Sequence, residues 1–235
     1  MRTTYPYTFT LFLLLFAISC GAKKEKTTAE APPDVHPDSS GWAELFAAGL
    51  SNAVFPEGIW YFEDGVLTAT EDQNIWTVDE YDNFIIDLEF KNDEGTNSGV
   101  IVYCSDPSNW IPNSVEIQIA DDFAEQWAKS PRNWQCGAFF GHQPAVKSNV
   151  KPAGEWNRYT ITCVDSNITV ALNGEIVNEI DMSLFTSAEV NPDGTRVPSW
   201  LSRAPAELPT RGLIGLQGKH AGAPVYFRNL RIKQI

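Results

Sequence analysis

Short runs of alternating apolar and polar residues follow position 40, and this pattern predicts β-strands. In one such run, Val115, Ile117 and Ile119 share a face, because successive strand residues point to opposite sides. Glu116 and Gln118 share the opposite face. We expect the apolar side to pack inward and the polar side to line a groove or to meet solvent.

The other predicted strands are separated by turn residues. They cover residues 60–69, 75–78, 84–90, 100–104, 137–140, 156–164, 168–172, 175–180, 212–217 and 225–232. Asp64-Gly65 and Asn173-Gly174 predict tight hairpin turns. In the last strand, strict alternation places Arg228 on the same face as Leu230. Ten or more short strands without a long helical period predict an all-β sandwich of two antiparallel sheets.

The chain of 235 residues divides into three predicted segments. Residues 1–20 resemble a bacterial lipoprotein signal, in which Arg2 precedes an apolar run and Cys20 becomes the lipidated residue. Residues 21–40 are rich in charge and proline and predict a flexible linker. Residues 41–235 form one domain. The expected protein is exported and lipid-anchored, in the periplasm or at the outer-membrane surface, with a plain cleaved secretory peptide as the alternative.

The net charge limits the classes of binding partner, and the cysteine count limits the number of disulfides. A formal net charge of −13 argues against binding a nucleic-acid backbone, which needs clustered Lys and Arg. Beyond Cys20 the cysteines are Cys104, Cys136 and Cys163, and this odd number allows at most one internal disulfide. We expect Cys104 and Cys136 to be the pair, because both flank the central strands, and Cys163 to be a buried free thiol.

Seven motifs occur in a recognisable order over residues 41–235. They are Gly41-Trp-Ala-Glu-Leu-Phe, Tyr81-Asp-Asn-Phe, Asn97-Ser-Gly, Val115-Glu-Ile-Gln-Ile, Gly154-Glu-Trp-Asn, Leu172-Asn-Gly and Gly215-Leu-Gln-Gly-Lys-His, which is followed by Phe227-Arg-Asn-Leu-Arg-Ile-Lys. Together they resemble the 3-keto-disaccharide hydrolase domain family. The resemblance implies a concanavalin-like jelly-roll sandwich, in agreement with the strand pattern.

The resemblance also implies an activity, the cleavage of a glycoside whose sugar is already oxidised to a ketone at carbon 3. Such a ketone acidifies the proton on carbon 2, so one base can remove it, the group on carbon 1 can leave, and water can add. A separate sugar 3-oxidoreductase is the implied partner, because this chain has no Gly-x-Gly-x-x-Gly dinucleotide fingerprint after a strand.

We hypothesise roles for individual residues in this chemistry. Glu116 is the expected base, His220 its partner acid or base, and Asp121 an orienting group. These three side chains could also hold a divalent cation, although nothing in their spacing demands one. The expected substrate-binding residues are Asn97, Gln118, Gln217, Arg228, Trp110, Trp127, Trp134 and His142. A structural role in turns, sheet edges or ion pairs is the competing interpretation for each of them.

Two other functions remain open at this point. Glu116-x-Gln118-x-x-Asp121 has the spacing of the Glu-x-Asp-x-x-Glu motif of laminarinase-type glucanases, which need two carboxylates across the glycosidic bond. Here Gln118 replaces the central Asp, which weakens that interpretation. The third function is a non-catalytic carbohydrate-binding sandwich, in which Trp110, Trp127 and Trp134 stack on a sugar.

Overall fold

The computed structural model describes residues 1–3 and 35–235. The predicted lipidation site Cys20 and most of the predicted signal and linker segments lie outside the described residues. Residues from Val35 onward belong to one compact unit. Within the described part of the chain, no helix has the length and apolar character needed to cross a membrane.

The described residues form thirteen strands and a few short helical turns. In chain order, the strands are β1 Ala43–Glu44, β2 Ala53–Val54, β3 Trp60–Glu63, β4 Val66–Ala69, β5 Ile75–Thr77, β6 Phe84–Asn92, β7 Asn97–Cys104, β8 Val115–Ala120, β9 Trp156–Val164, β10 Asn167–Leu172, β11 Glu175–Asp181, β12 Leu213–Leu216 and β13 Val225–Gln234. Helix α1 spans Glu125–Ala128, and 3₁₀ turns span Pro107–Asn109, Ile111–Asn113, Arg132–Trp134, Met182–Leu184 and Pro205–Glu207.

Two antiparallel sheets build the domain. The larger has the order β11-β10-β9-β6-β13-β4-β3, with β1 also paired to β13, and the smaller has the order β2-β5-β12-β7-β8. Side chains from both sheets meet in one continuous apolar core. The predicted all-β sandwich of the jelly-roll class is therefore confirmed.

Strand β8 has the alternation that the sequence predicts. Val115, Ile117 and Ile119 are fully buried in the core, where Phe84 and Phe90 of the larger sheet also lie. Burying side chains of this size contributes about 1.5–3 kcal/mol each. The other face of β8, which carries Glu116 and Gln118, consequently points away from the core.

Both predicted hairpin turns are present. Asp64 and Gly65 have φ angles of 50° and 77°, and Asn173 and Gly174 have φ angles of 49° and 86°. Two consecutive residues with positive φ are the requirement of a type I′ turn, whose twist matches that of the flanking strands. These turns join β3 to β4 and β10 to β11.

Strand β13 departs from the predicted alternation. A β-bulge shifts its register against β6 between Arg228 and Arg231, and Asn229 adopts a φ of 52°. The extra residue changes the phase of the strand, so Phe227 and Leu230 are both buried. The prediction that Arg228 shares a face with Leu230 is therefore wrong.

The predicted disulfide is also wrong, because Cys104 and Cys136 are free and buried, as is Cys163. Cys104 lies in a small cluster with Trp76 and Ile101, whereas Cys136 lies in the main core, with its Sγ 3.1 Å from the hydroxyl of Tyr159. Burial raises the pKa of both Cys104 and Cys136 to about 12. Neither thiol is therefore poised to react near neutral pH.

The last residues of the predicted linker pack against the larger sheet. His36 contacts the Thr160 hydroxyl through Nδ1 at 2.8 Å and accepts a hydrogen bond from the Gly174 amide at 2.8 Å. Arg158 donates to the carbonyl of Pro37 at 2.6 Å. Residues 35–40 thus differ from the flexible linker expected for 21–40, because their polar groups find partners on the sheet.

Candidate active site

The smaller sheet forms the floor of a cavity on its face away from the core. Glu116 and Gln118 of β8, Asn97 at the start of β7 and Gln217 just after β12 supply polar groups to it. The surrounding loops supply a wall of aromatic side chains, and the cavity has a volume of about 370 Å³. A concave site with apolar walls and a few convergent polar groups is typical of small-molecule binding.

Gly99 makes room for the Glu116 side chain. A Cβ atom at position 99 would lie 2.3 Å from Glu116 Oε1 and 2.6 Å from its Cγ, closer than real Cβ atoms approach. Gly99 pairs with Gln118 in the β7–β8 register, so the glycine sits beside Glu116 on the neighbouring strand. The carboxyl of Glu116 therefore lies over the backbone of β7, across the cavity floor.

The carboxyl of Glu116 has no hydrogen-bond or ion-pair partner among the described residues. Burial raises the pKa of Glu116 from 4.5 to about 8, with no neighbouring cation to offset the loss of water. A carboxyl with such a pKa exchanges a proton near neutral pH. This is the property that a general base requires.

Two amide oxygens in the cavity also lack partners among the described residues. Gln118 donates through Nε2 to Asn97 Oδ1 at 2.7 Å, but its Oε1 accepts nothing, and neither does Oε1 of Gln217. The two glutamines are 1% and 8% exposed. Buried acceptors are normally satisfied, so both amides fit a ligand that brings hydroxyl donors. The residues lining this cavity include no Lys or Arg, which favours a neutral ligand over a phosphate.

His220 lies at the edge of the same cavity. It forms an isolated bridge with Asn97, and its Nδ1 is 2.8 Å from Oδ2 of Asp72. This contact orients the imidazole and leaves Nε2 for a ligand. His220 is accessible, with 46% of its side chain exposed.

Aromatic side chains from three loops wall the cavity. The Trp134 ring packs against Phe140 and Trp200 with centroid distances of 5.6 and 5.9 Å, and Trp127 Nε1 donates to the carbonyl of Gly95 at 2.9 Å. Trp110, Trp127 and Trp134 therefore lie where the sequence hypotheses need them. Sequence reasoning missed Phe140 and Trp200. The available sequence signal was the large aromatic ring of Trp200 in the proline-rich segment 183–210. In the structure, 49% of Trp200 is exposed.

Two predicted site residues are instead structural. Asp121 is buried, and its two carboxylate oxygens accept hydrogen bonds from the amides of Gly95 at 2.9 Å and Phe123 at 3.2 Å. His142 is buried beside Phe139, and its Nδ1 contacts Asn191 Oδ1 at 2.8 Å. Burial lowers the pKa of His142, which disfavours the charged form of the ring. Neither residue lines the cavity.

Arg228 lies on the other sheet, away from the cavity. Its guanidinium makes a bidentate pair with Glu89 at 2.9 and 3.2 Å and stacks 3.9 Å above the Trp156 ring. The predicted substrate contact of Arg228 is therefore replaced by a structural pair. The predicted cation site is not assembled either: Asp121 turns away from Glu116, and the described residues contain no group of three potential metal ligands.

An antiparallel sandwich with an aromatic- and amide-lined cavity on the outer face of one sheet places the protein in the class of β-sandwiches that carry a small-molecule cavity. The match to a family profile is more specific. Residues 37–233 match the 3-keto-alpha-glucoside-1,2-lyase-like domain, and the chain belongs to that family. The resemblance inferred from the seven motifs is confirmed.

Individual relatives agree with this assignment. The chain is 25% identical over 175 residues to a 3-keto-disaccharide hydrolase of Bacteroides thetaiotaomicron, a match that covers 66% of this chain and 60% of that protein. A crystal structure from Parabacteroides distasonis, of a protein predicted to be a glycosyl hydrolase, is 53% identical with a TM-score of 0.81. It covers 83% of this chain and 99% of its own. A second such structure from the same organism has 22% identity and a TM-score of 0.67, covers 86% of this chain and 99% of its own, and supports the fold alone.

Proposed function

We propose that the protein cleaves glycosides that carry a ketone at carbon 3 of the sugar, with Glu116 removing the proton on carbon 2. The observation that carries this proposal is the state of Glu116. It is the one carboxyl group among the residues that line the 370 Å³ cavity, it is unpaired within the described structure, and its pKa is raised to about 8. A base with such a pKa suits a proton that an adjacent ketone has acidified.

The proposed reaction is an elimination followed by hydration. The Glu116 carboxylate takes the carbon 2 proton, and the C–H electrons form the enolate with the ketone at carbon 3. The enolate then reforms the ketone, a double bond forms between carbons 1 and 2, and the leaving group departs with the C1–O electrons. Water adds its oxygen to carbon 1, and carbon 2 regains a proton, so the sum is hydrolysis.

Other cavity residues have complementary roles in this proposal. The unpartnered oxygens of Gln118 and Gln217 accept hydrogen bonds from ring hydroxyls, and Asn97 orients the Gln118 amide. His220, whose Nδ1–H is held by Asp72, acts in its imidazolium form: it gives the Nε2 proton to the leaving oxygen and becomes the neutral imidazole. General acid–base groups of this kind contribute roughly 10²–10⁴-fold each to rate.

A pH profile follows from the pKa of Glu116. A base with a pKa of about 8 is mostly protonated at pH 6, and its ionised fraction rises about tenfold per pH unit below the pKa. We expect the limb of the kcat/KM profile that Glu116 controls to increase with pH up to about 8 for a 3-keto-glycoside.

The direct test uses the purified protein with a 3-keto-glucoside, the same substrate deuterated at carbon 2, and the matching unoxidised glucoside. We expect release from the keto substrate alone, a slower release from the deuterated substrate, and near-complete loss in Glu116→Gln. Equal rates for the two isotopologues, or full activity in Glu116→Gln, would contradict the proposed proton removal.

The two competing functions receive unequal support. Laminarinase-like hydrolysis needs two facing carboxylates, and Asp121 is bound to backbone amides outside the cavity. The aromatic wall favours the non-catalytic alternative, because Trp110, Trp127, Trp134 and Trp200 would stack on sugar rings without any chemistry. Sugar binding without release from any glycoside, oxidised or not, would establish that binding function instead.

The cellular setting is a further part of the proposal. The apolar run that ends at Cys20 supports export and lipid attachment, and the chemistry requires a sugar 3-oxidoreductase to supply the keto substrate. Expression with a labelled fatty acid tests the anchor. The label should enter the wild-type protein and be lost in Cys20→Ser, and equal labelling of both would contradict attachment at Cys20.

A further inference from the structure

Three of the rings that wall the active-site cavity form a cluster, although they come from three different segments of the chain. Trp134 ends the 3₁₀ turn Arg132–Trp134, Phe140 lies between β8 and β9, and Trp200 lies in segment 183–210. We call these three residues the ring cluster. Loops are the more mobile parts of a fold, so a wall of fixed shape requires contacts that join the three segments.

The segment around Phe140 is anchored to the strand that carries the proposed base. The Phe140 amide donates to the carbonyl of Glu116 at 3.0 Å, and the Gln118 amide donates to the carbonyl of Ala138 at 3.0 Å. Residues 138–140 thus pair with β8 at the edge of the smaller sheet. This pairing fixes Phe140 relative to Glu116, but the other two rings of the cluster need separate contacts.

Gly141 is the point at which the three segments meet. Its amide donates to the carbonyl of Asn133, the neighbour of Trp134, at 2.9 Å. A Cβ atom at position 141 would lie 2.3 Å from Cδ1 of Leu201, the neighbour of Trp200. The φ of Gly141 is 74°, a conformation that favours glycine. The segments of Trp134 and Trp200 therefore both pack against the backbone of this one residue.

The side chain of Asn191 joins segment 183–210 to Gly141 by hydrogen bonds. Asn191 is 4% exposed, and its Nδ2 donates to the Gly141 carbonyl and to the Thr195 hydroxyl, both at 3.1 Å. Its Oδ1 lies 2.8 Å from His142 Nδ1. An amide oxygen only accepts, so the Nδ1 of His142 carries a proton and donates it to this bond. The reverse orientation of the Asn191 amide would bring two acceptors together at Gly141.

We propose that Asn191 and His142 are positioning residues, which hold the ring cluster through Gly141 in the geometry that binds the sugar. Neither residue lines the cavity, so both act through the rings. This inference rests on the proposed function for the identity of the ligand. The expected consequence is a loss of sugar binding with little change in the chemical step, because Glu116 is held on its own strand.

Asn191→Leu tests the proposal, because leucine has a similar size and forms no hydrogen bonds through its side chain. We expect KM for methyl 3-keto-glucoside to rise on the order of tenfold, while kcat stays within about twofold. His142→Leu should raise KM less, because the bond from Asn191 to Gly141 remains. His142→Asn offers an N–H donor near the position of Nδ1 and should restore the wild-type KM. Equal KM values in the two His142 variants would overturn the proposal, and this pair carries the test if Asn191→Leu does not fold.

The matched control is Asn178→Leu. Asn178 is 1% exposed, and its Nδ2 donates to the carbonyls of Gly137 at 3.1 Å and Gln143 at 3.3 Å, while its Oδ1 accepts from Gln143 Nε2 at 2.7 Å. None of its side-chain hydrogen bonds within the described structure reaches the segments of Trp134 or Trp200. Both leucine variants should unfold at lower urea concentrations than the wild type. Equal increases of KM in the two would overturn the proposal, because a general loosening of the fold would then explain them.

A spectroscopic measurement separates this inference from the proposed function. The rings of Trp134 and Trp200 lie 5.9 Å apart at an interplanar angle of 65°, so their transitions couple and give a circular-dichroism couplet that depends on this geometry. Trp200→Phe identifies the couplet by removing it. We expect Asn191→Leu to weaken the couplet and Asn178→Leu to retain it.

Calorimetry with methyl 3-keto-glucoside completes the test, because it measures binding without any reaction. If the protein cleaves no substrate, but Asn191→Leu loses the couplet and binds the sugar about tenfold more weakly, the positioning role stands and the proposed catalysis fails. If the protein cleaves the keto substrate, but Asn191→Leu retains the wild-type KM, the catalysis stands and the positioning role fails. A wild-type couplet in folded Asn191→Leu overturns the positioning role whatever the activity.

Discussion

Both exposed faces of the sandwich carry carboxylates, but only one face provides cations for them. On the outer face of the larger sheet, Asp87 is paired with Arg158, and Glu89 with Arg228. On the outer face of the smaller sheet, Glu116 is half-buried and has no cation partner among the described residues. The same residue types therefore stabilise the fold on one face and remain available for a ligand on the other.

The pairs on the larger sheet are extensively hydrogen-bonded. Arg158 donates to both oxygens of Asp87, at 3.0 and 2.7 Å, and the Thr160 hydroxyl adds a bond of 2.9 Å. Ser39, from the segment that crosses this face, also contacts Asp87. A cleft of about 460 Å³ remains beneath that segment, but its charged walls are satisfied internally. Unsatisfied polar atoms, more than the presence of a cleft, therefore distinguish the candidate site.

The largest expected effect is on catalytic activity, which should depend on the carboxyl group of the smaller sheet and not on that of the larger sheet. Glu116→Gln should lower kcat/KM for a 3-keto-glycoside about 10³-fold, because it removes the base but retains the shape of the side chain. Glu89→Gln is the matched control on the larger sheet. It should lower the free energy of unfolding, since Arg228 loses its charged partner, while activity stays within about twofold. Equal effects of the two changes on kcat/KM would remove the functional distinction between the faces.

The second prediction displaces the base without removing it. Gly99→Ala would place a methyl group 2.3 Å from Glu116 Oε1, and the flexible carboxyl can yield only by leaving its position. We expect kcat/KM to fall about 10–100-fold, as for other small displacements of a catalytic group. Gly49→Ala is the control, because no atom lies within 4 Å of a Cβ there. A wild-type rate in folded Gly99→Ala would show that the position of Glu116 over β7 is unimportant.

The sequence predicted the sandwich and the site floor well because strand alternation is a local property. Val115 and Ile117 had to be inside, and Glu116 outside, whichever strands became neighbours. The aromatic wall of the cavity could be predicted for a similar reason, because Trp residues in loops seldom all enter a core. The hairpins followed from Asp64-Gly65 and Asn173-Gly174, whose conformational needs are also local.

The errors concern properties that only the folded chain possesses. The bulge at Asn229 and the choice of sheet together put Arg228 on the far side of the molecule. The carboxylate of Asp121 found backbone amides instead of a ligand, and Cys104 and Cys136 entered separate apolar clusters. Trp200 reached the cavity from a segment remote in sequence. Such long-range pairings leave no periodic signal in a single sequence.

The third prediction tests the paired face by stability. Arg158→Ala leaves the Asp87 carboxylate buried, with 4% of its side chain exposed and no cation, and should reduce the free energy of unfolding by about 3 kcal/mol. Arg211→Ala breaks the exposed contacts with Glu80 and Asp82 and should cost under about 1 kcal/mol. Urea unfolding measures both. A small loss in Arg158→Ala would mean that the outer pairs are not what stabilises that sheet.

The fourth and smallest effect uses pH to compare the carboxyls of the two faces. Burial raises the folded-state pKa of Glu116 from 4.5 to about 8, so the folded protein binds more protons than the unfolded chain between these values. The contribution of Glu116 to stability is therefore fully present below pH 4.5 and is lost as the pH rises through about 8. The loss cannot exceed about 1.4 kcal/mol per pH unit.

Glu116→Gln has no such titration. The free energy of unfolding of this variant, relative to that of the wild type, should therefore increase by about 1–3 kcal/mol between pH 5 and pH 8. For Glu89, burial acts to raise the pKa, but hydrogen bonds from Arg228 and Asn229 outweigh it and lower the pKa. The stabilising contribution of Glu89 is therefore lost only as pH falls below its unfolded value of 4.5, and the difference between Glu89→Gln and the wild type should stay constant from pH 5 to pH 8. Urea unfolding at four pH values measures both differences. If the difference in free energy of unfolding between Glu116→Gln and the wild type were also constant, Glu116 would ionise like a solvated carboxyl. The outer face of the smaller sheet would then lack the raised carboxyl pKa that distinguishes it from the larger sheet.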